Sequence, residues 1–178
     1  MSEKEHIVAV FESHRKAPGT PYSEDHFLDY LLEHPEKKRA VYNSFSGLRR
    51  FNAFIDHVQM DYSICFSLKD RDANYSLDMF VARVVELRGS PRSSLASFKN
   101  QARAGLGWAP VFIANTILIL ACVVSRSYAI PLAGCITFLI LFNTAVAIFF
   151  VRYRRYMARL QQKLQAAMKK PKPLRNPA

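Results

Sequence analysis

The chain has 178 residues, half of them hydrophobic, and carries 25 Lys and Arg against 14 Asp and Glu, a formal net charge of +11. That length allows one small domain plus a membrane segment. The charge would suggest nucleic acid until it is located. Residues 1–105 hold 15 of the basic residues and all 14 acids, whereas the tail after Val151 holds nine basic residues and no acid. The excess therefore belongs to a tail beside an apolar region, where anionic lipid headgroups are the expected partner and nucleic acid is not. Cys65, Cys122 and Cys135 show neither a pairing pattern nor metal-ligand spacing, which argues against a disulfide scaffold and fits a reducing compartment.

The polar, partly acidic start from Met1 to His6 reads as neither a cleavable signal nor a transit peptide. Insertion is expected to be directed by later apolar runs. Lys4 to Lys16 predicts a helix with Ile7, Val8, Val10 and Phe11 apolar, broken by Pro18 to Pro21. Ser23 reads as the N-cap of a second helix, with Glu24 and Asp25 in its first turn. That helix carries Phe27, Leu28, Leu31 and Leu32 as far as His34–Pro35. Glu36 to Phe45 predicts a third helix with Val41, Tyr42 and Phe45 inward; Gly47 ends it or sits within a longer one. From Leu48 to Met60 the residues Leu48, Phe51, Phe54, Ile55 and Val58 make one apolar face.

Asp61 to Leu68 is ambiguous. Tyr62, Ile64, Phe66 and Leu68 alternate as in a strand, but no partner strand is evident, so a continuing helix or an extended segment is expected. Lys69 to Asn74 reads as a polar loop. Leu77 to Arg88 is a helix with Phe80, Val81, Val84, Val85 and Leu87 apolar, stopped by Gly89 to Pro91. Residues 1–89 thus predict a small helical bundle. Residues 90–107 predict a joint and a helix leading into the membrane, with Leu95, Phe98, Ala102 and Gly105 as a narrow stripe.

Two charge-free runs follow, residues 108–124 and 130–151. As helices they would span about 26 Å and 33 Å. A bilayer core is about 30 Å thick, so both are read as transmembrane, the first only just; the other reading is a hairpin buried in a soluble core. The five-residue link from Ser125 to Ala129 leaves room only for an antiparallel pair. Pro131 suits a first helical turn, and Trp108 and Tyr128 suit the interface. Lys99 and Arg103 precede the pair and Arg152, Arg154, Arg155 and Arg159 follow it, while the link holds Arg126 alone. The positive-inside rule then places both termini in the cytoplasm.

No helix breaker follows Val151 until Pro171. Residues 152–170 predict an amphipathic basic helix whose apolar stripe is Tyr153, Tyr156, Met157, Leu160, Leu164 and Met168. Three arrangements suit it: a stalk against the helix before the first span, packing on copies of itself or on the soluble bundle, or a surface position on the membrane. The stalk is favoured because no kink signal follows Val151. Residues 171–178 read as a disordered basic end.

The feature most suggestive of function is a repeated dipeptide, Asn115–Thr116 in the first span and Asn143–Thr144 in the second. Equal counts from the cytoplasmic ends put both asparagines about 13 Å deep. A carboxamide in hydrocarbon wants a partner. The four residues either glue the hairpin or its neighbours, or line a water-filled path in an oligomer. Ala114, Ala121, Ala133, Gly134, Ala145 and Ala147 permit close packing in either case.

Catalysis finds little support: there is no phosphate loop, paired-histidine metal motif or nucleophile elbow. No cofactor and no metal are expected. His57 and Asp61 lie four apart near Cys65, a spacing that more often marks the solvated edge of a bundle than a nucleophilic trio. His6, His14, His26 and His34 are scattered. Lys37, Lys38, Arg39, Arg49 and Arg50, interleaved with Tyr42, Phe45 and Phe51, are read as a solvated face over core aromatics rather than a nucleic-acid surface.

The outline of a small helical domain, a tight hairpin over Trp108 to Val151 and a basic tail resembles the two-span effectors of bacterial conflict systems, including those that accompany retrons and the SLATT-type family. The resemblance rests on topology and size, and it carries over no family residues. It implies a bacterial inner-membrane protein that oligomerises and disrupts the membrane, held silent by its cytoplasmic domain until infection. A structural or accessory subunit that anchors a helical domain to a larger membrane complex is the alternative. An immunity protein against a membrane toxin shares the outline.

Overall fold

Every regular element in the computed structural model is helical, as the all-α expectation requires; residues 2–32, 45–72, 75–104, 109–124 and 129–169 are described. In order these are α1 (Glu3–His14), a 3-10 helix (Glu24–Leu31), α2 (Phe45–Tyr62), α3 (Leu68–Asp72), α4 (Leu77–Gly89), α5 (Pro91–Ala104), α6 (Ala109–Val124) and α7 (Ala129–Lys169). The chain divides into two compact units. One comprises the residues through Asn100 together with the segment from Leu160, and the other Gln101–Arg159. The helix expected over most of residues 36–45, the 125–128 part of the link and the 171–178 end lie outside the described residues. So do residues 105–108, on which an unbroken helix into the first apolar run depends.

In the N-terminal unit, α1 starts at a capping box. Ser2 Oγ accepts from the Glu5 N–H (3.2 Å) and the Ser2 N–H donates to the Glu5 carboxylate (2.8 Å). It ends where Arg15 turns to extended backbone. The Arg15 guanidinium is buried over the rings of Phe11, Tyr22 and Tyr30 and donates to Glu12 (2.6 Å) and to the Thr20 carbonyl (2.8 Å) and hydroxyl (2.7 Å). It thereby ties down the turn after α1, where Gly19 has a φ of 76°.

The core is aromatic. Phe27 meets Phe11, Phe54 and Phe80 edge-on, with centroids 5.2, 6.1 and 5.4 Å away. Ile7, Leu31, Ile55, Val58, Ile64, Phe66, Leu77, Val84 and Leu87 close around them. Of the apolar face expected on residues 48–60, Phe54, Ile55 and Val58 are buried and Leu48 and Phe51 half-buried.

Several local expectations differ. The second helix is 3-10, broken at His26 (φ −133°, ψ 32°), and Ser23 makes no side-chain cap. The tighter turn sets Leu28 and Leu31 one above the other on the buried side, as a period of three requires. Phe45, expected inward, is 85% exposed. The ambiguous stretch resolves as extended: α2 stops at Tyr62, Ser63 takes a left-handed φ of 54°, and Ile64, Cys65 and Phe66 run buried. The strand partner that the sequence lacks is replaced by buried Gln59, whose carbonyl accepts from the Ile64 N–H (3.1 Å) and whose amide oxygen accepts from the Phe66 N–H (3.0 Å). The expected polar loop after Leu68 begins as α3. Ser67 Oγ accepts from the Asp70 N–H (3.2 Å), and Asp70 accepts from the Ser67 N–H (2.8 Å), a reciprocal cap.

α4 begins at Leu77, as the sequence expects, with Ser76 as its cap, and runs one residue past the expected Arg88 to Gly89. α5 starts at Pro91, its proline in a first turn where no N–H is needed. Of its expected stripe Phe98 is buried, Leu95 half-buried and Ala102 exposed. The end of α7 also belongs to this unit: Leu160 and Leu164 are buried, and Lys163 Nζ donates to the Met60 carbonyl (2.6 Å) near the end of α2. These leucines are packed in protein rather than laid on a membrane surface.

In the second unit, α7 contains a stretch long and apolar enough to cross a membrane, while α6 is apolar but shorter, at 16 residues. Their large apolar side chains point outward. Phe112 is 68% exposed and Leu141 62%. A core helix of a water-soluble protein would bury them, and so large an exposed apolar surface needs a cover.

Candidate functional site

The polar residues of the apolar helices are built from α6 and α7. Asn143 Nδ2 donates to Asn115 Oδ1 at 2.7 Å, joining the helices by their side-chain amides. Each amide also donates to the carbonyl four residues back in its own helix, Asn115 to Val111 and Asn143 to Leu139, both at 2.9 Å. Thr116 and Thr144 do not join across. Their hydroxyls donate back to Phe112 (2.9 Å) and Ile140 (2.8 Å), which satisfies them within their own helices.

An amide has two protons to give and an oxygen to accept with. Asn143 has used both protons and Asn115 one. Among the described residues, the Asn143 oxygen accepts nothing and one Asn115 proton is left over. Each hairpin thus holds one spare acceptor, on an exposed residue, and one spare donor. Cys122 of α6 and Cys135 of α7, which show no pairing pattern in sequence, are also neighbours.

Arg152, Arg154, Arg155 and Arg159 are all exposed on α7. The apolar stripe beside them is graded. Tyr153, Tyr156 and Met157 are half-buried, Leu160 and Leu164 buried, and Met168 40% exposed.

The nucleophilic trio does not assemble. Burial pushes the Cys65 thiol up to about 11, and its Sγ–H points at the Phe66 carbonyl (3.7 Å), so it stays protonated at neutral pH. His57 and Asp61 instead join a surface chain that sequence spacing missed. His6 Nε2 lies 3.0 Å from Asp61 Oδ2, His57 Nε2 lies 3.4 Å from the same oxygen, and His14 Nε2 lies 3.2 Å from His57 Nδ1. Partial burial and the neighbouring His57 lower the pKa of His14. The only sequence signal was the i, i+4 spacing of His57 and Asp61, since α1 brings the other two histidines from 43 and 55 residues away. Of the basic and aromatic residues weighed for nucleic acid, Arg49 is exposed, whereas Arg50 Nε donates to the Leu31 carbonyl (3.1 Å) and braces the 3-10 helix. Lys37, Lys38, Arg39 and Tyr42 lie outside the described residues, as does His34.

Compared with protein-family models, with curated proteins and with solved structures, the chain matches none.

Proposed function

We propose that this chain is a two-span effector of a bacterial inner membrane. Its α6–α7 hairpin inserts with both termini in the cytoplasm, assembles with further copies and breaches the bilayer, under control of the N-terminal unit. The observation that supports this best is the Asn115–Asn143 pair. In hydrocarbon a spare amide donor and a spare acceptor are costly, and a neighbouring hairpin with the same two spares answers both. α7 supports control by the N-terminal unit. It is one helix from Ala129 to Lys169, and its end, with Leu160 and Leu164, is counted in that unit. A rearrangement there acts on the same helix that carries Asn143. The exposed arginines 152, 154, 155 and 159 suit anionic headgroups at the cytoplasmic surface.

Membrane potential and viability on induced expression in bacteria test the reading. The native chain is expected to depolarise cells, and an Asn115→Leu/Asn143→Leu variant that reaches the membrane equally well is expected not to. Harmless native protein in the membrane would rule out unaided toxicity under those conditions. It would favour the accessory subunit, for which Phe45 (85% exposed), Met79 (57%) and Val85 (46%) on the N-terminal unit offer apolar contact points.

A further inference from the structure

We propose that His14 of α1 and His57 of α2 form a two-nitrogen site for a borderline divalent cation, Zn2+ in the first instance. The inference stands apart from the membrane reading and rests on the geometry of the N-terminal unit. His14 Nε2 and His57 Nδ1 face each other at 3.2 Å, with the ring planes at 88°. Two imidazole nitrogens that each bind zinc at about 2.0–2.1 Å in a tetrahedral arrangement stand about 3.3–3.4 Å apart. The separation therefore already suits the ion, and the rings have only to turn so that both lone pairs leave the N···N line.

Asp61 Oδ2 lies 3.4 Å behind His57 Nε2, so a proton on Nε2 faces the carboxylate and leaves the Nδ1 lone pair toward His14. His6 Nε2, 3.0 Å from the same oxygen, holds the carboxylate in place. Asp61 is thus a positioning residue and His6 its brace. Without a cation, the His14 Nε2–H donates to His57 Nδ1. On binding, the His14 proton moves to its own Nδ1 and both facing lone pairs take the ion, with no net proton released from the neutral pair.

No group of three or more His, Cys, Asp or Glu suited to a metal occurs among the described residues. Water fills the remaining positions, so the ion is exchangeable and serves as a clamp between α1 and α2 rather than as a buried structural ion.

The test is Zn2+ titration of the untagged full chain in detergent micelles at pH 7.5, by calorimetry, with imidazole NMR signals followed in parallel. One saturable ion per chain is expected, with affinity at least tenfold lower at pH 5.5, where imidazole protonation competes. Asp61→Asn is expected to weaken binding about tenfold. His14→Ala and His57→Ala should each abolish it, and His26→Ala should not alter it. Should an alanine variant fail to fold, Ni2+ added to the native chain serves instead. It must broaden the His14 and His57 signals before those of His6 and His26. Absence of saturable binding, binding undiminished in both alanine variants, or first broadening at another histidine each overturns the proposal.

Discussion

Asn143 and Asn115 share one hydrogen bond, Nδ2 to Oδ1 at 2.7 Å, between α6 and α7. Removing one amide is therefore worse for the hairpin than removing both. Asn143→Leu leaves the Asn115 oxygen without its donor, a loss of about 0.6–2 kcal/mol in a membrane. The double leucine variant replaces both partners and should leave the hairpin itself nearly neutral. Energy transfer between labels on α6 and α7 in lipid should thus show looser hairpins in the single variant than in the double. Equal loosening in both would refute the pairing energetics.

The tail gives a second prediction. Leu160 and Leu164 are buried with the N-terminal unit, so Leu164→Ala should cost about 2–5 kcal/mol of its stability. Lys163→Met removes the bond to the Met60 carbonyl and should cost about 0.5–1.5 kcal/mol. Met168→Ala, at an exposed position, should change stability by less than about 0.5 kcal/mol. Urea unfolding followed through the aromatic core measures all three, and an unchanged midpoint for Leu164→Ala rules out the docked tail.

These contacts differ in how far the chain announced them. α4 was legible at both ends because its apolar pattern starts at Leu77 and Gly89 with Pro91 acts locally as a breaker; its Ser76 cap was not read from the sequence. The meeting of the asparagines followed from counting, because two helices joined by a short link have only one way to align. The tail stripe was visible as a stripe, but periodicity says which side is apolar and not what covers it. Ser67 to Asp72 hid a helix because a reciprocal Ser–Asp cap, not an apolar pattern, starts it. Residues 64–66 lacked a partner strand because a side chain, Gln59, supplies the hydrogen bond. The His14–His57 pair joins two helices, and no spacing along the chain encodes it.

Gln59 is a polar residue with no exposed surface, and its role is specific. Its amide oxygen is the acceptor for the buried Phe66 N–H, and its Nε2 donates to Asp56 (3.3 Å). Gln59→Leu keeps the volume but leaves that N–H unsatisfied, so a loss of about 1–3 kcal/mol is expected in urea unfolding. Amide exchange at Phe66 should accelerate beyond what the global loss explains. Full protection of that amide in the variant would remove the proposed role.

Asp70 makes the N-terminal unit acid-sensitive. Burial alone would raise its carboxyl, but hydrogen bonds from the Arg83 guanidinium and from the Ser67 hydroxyl and N–H outweigh burial and hold it below the ordinary value of 3.8. A carboxyl depressed in the folded state contributes stability that is full above the unfolded value and is lost as pH falls through the folded one. The native chain should therefore hold its Asp70 contribution at pH 5–7 and shed it below about pH 4. Asp70→Asn cannot titrate and loses the charge-assisted bonds to Arg83, so it should be weaker by about 1.5–3 kcal/mol at pH 7. Glu12 is also depressed: burial would raise it, but the Gly19 N–H and Arg15 outweigh that, so acid lability will persist in the variant. The Asp70 share is the difference between the two urea profiles, and that difference must shrink as pH falls. A gap between native and Asp70→Asn that stays constant from pH 7 to pH 3 would mean that the Arg83–Asp70 pair does not carry this pH dependence.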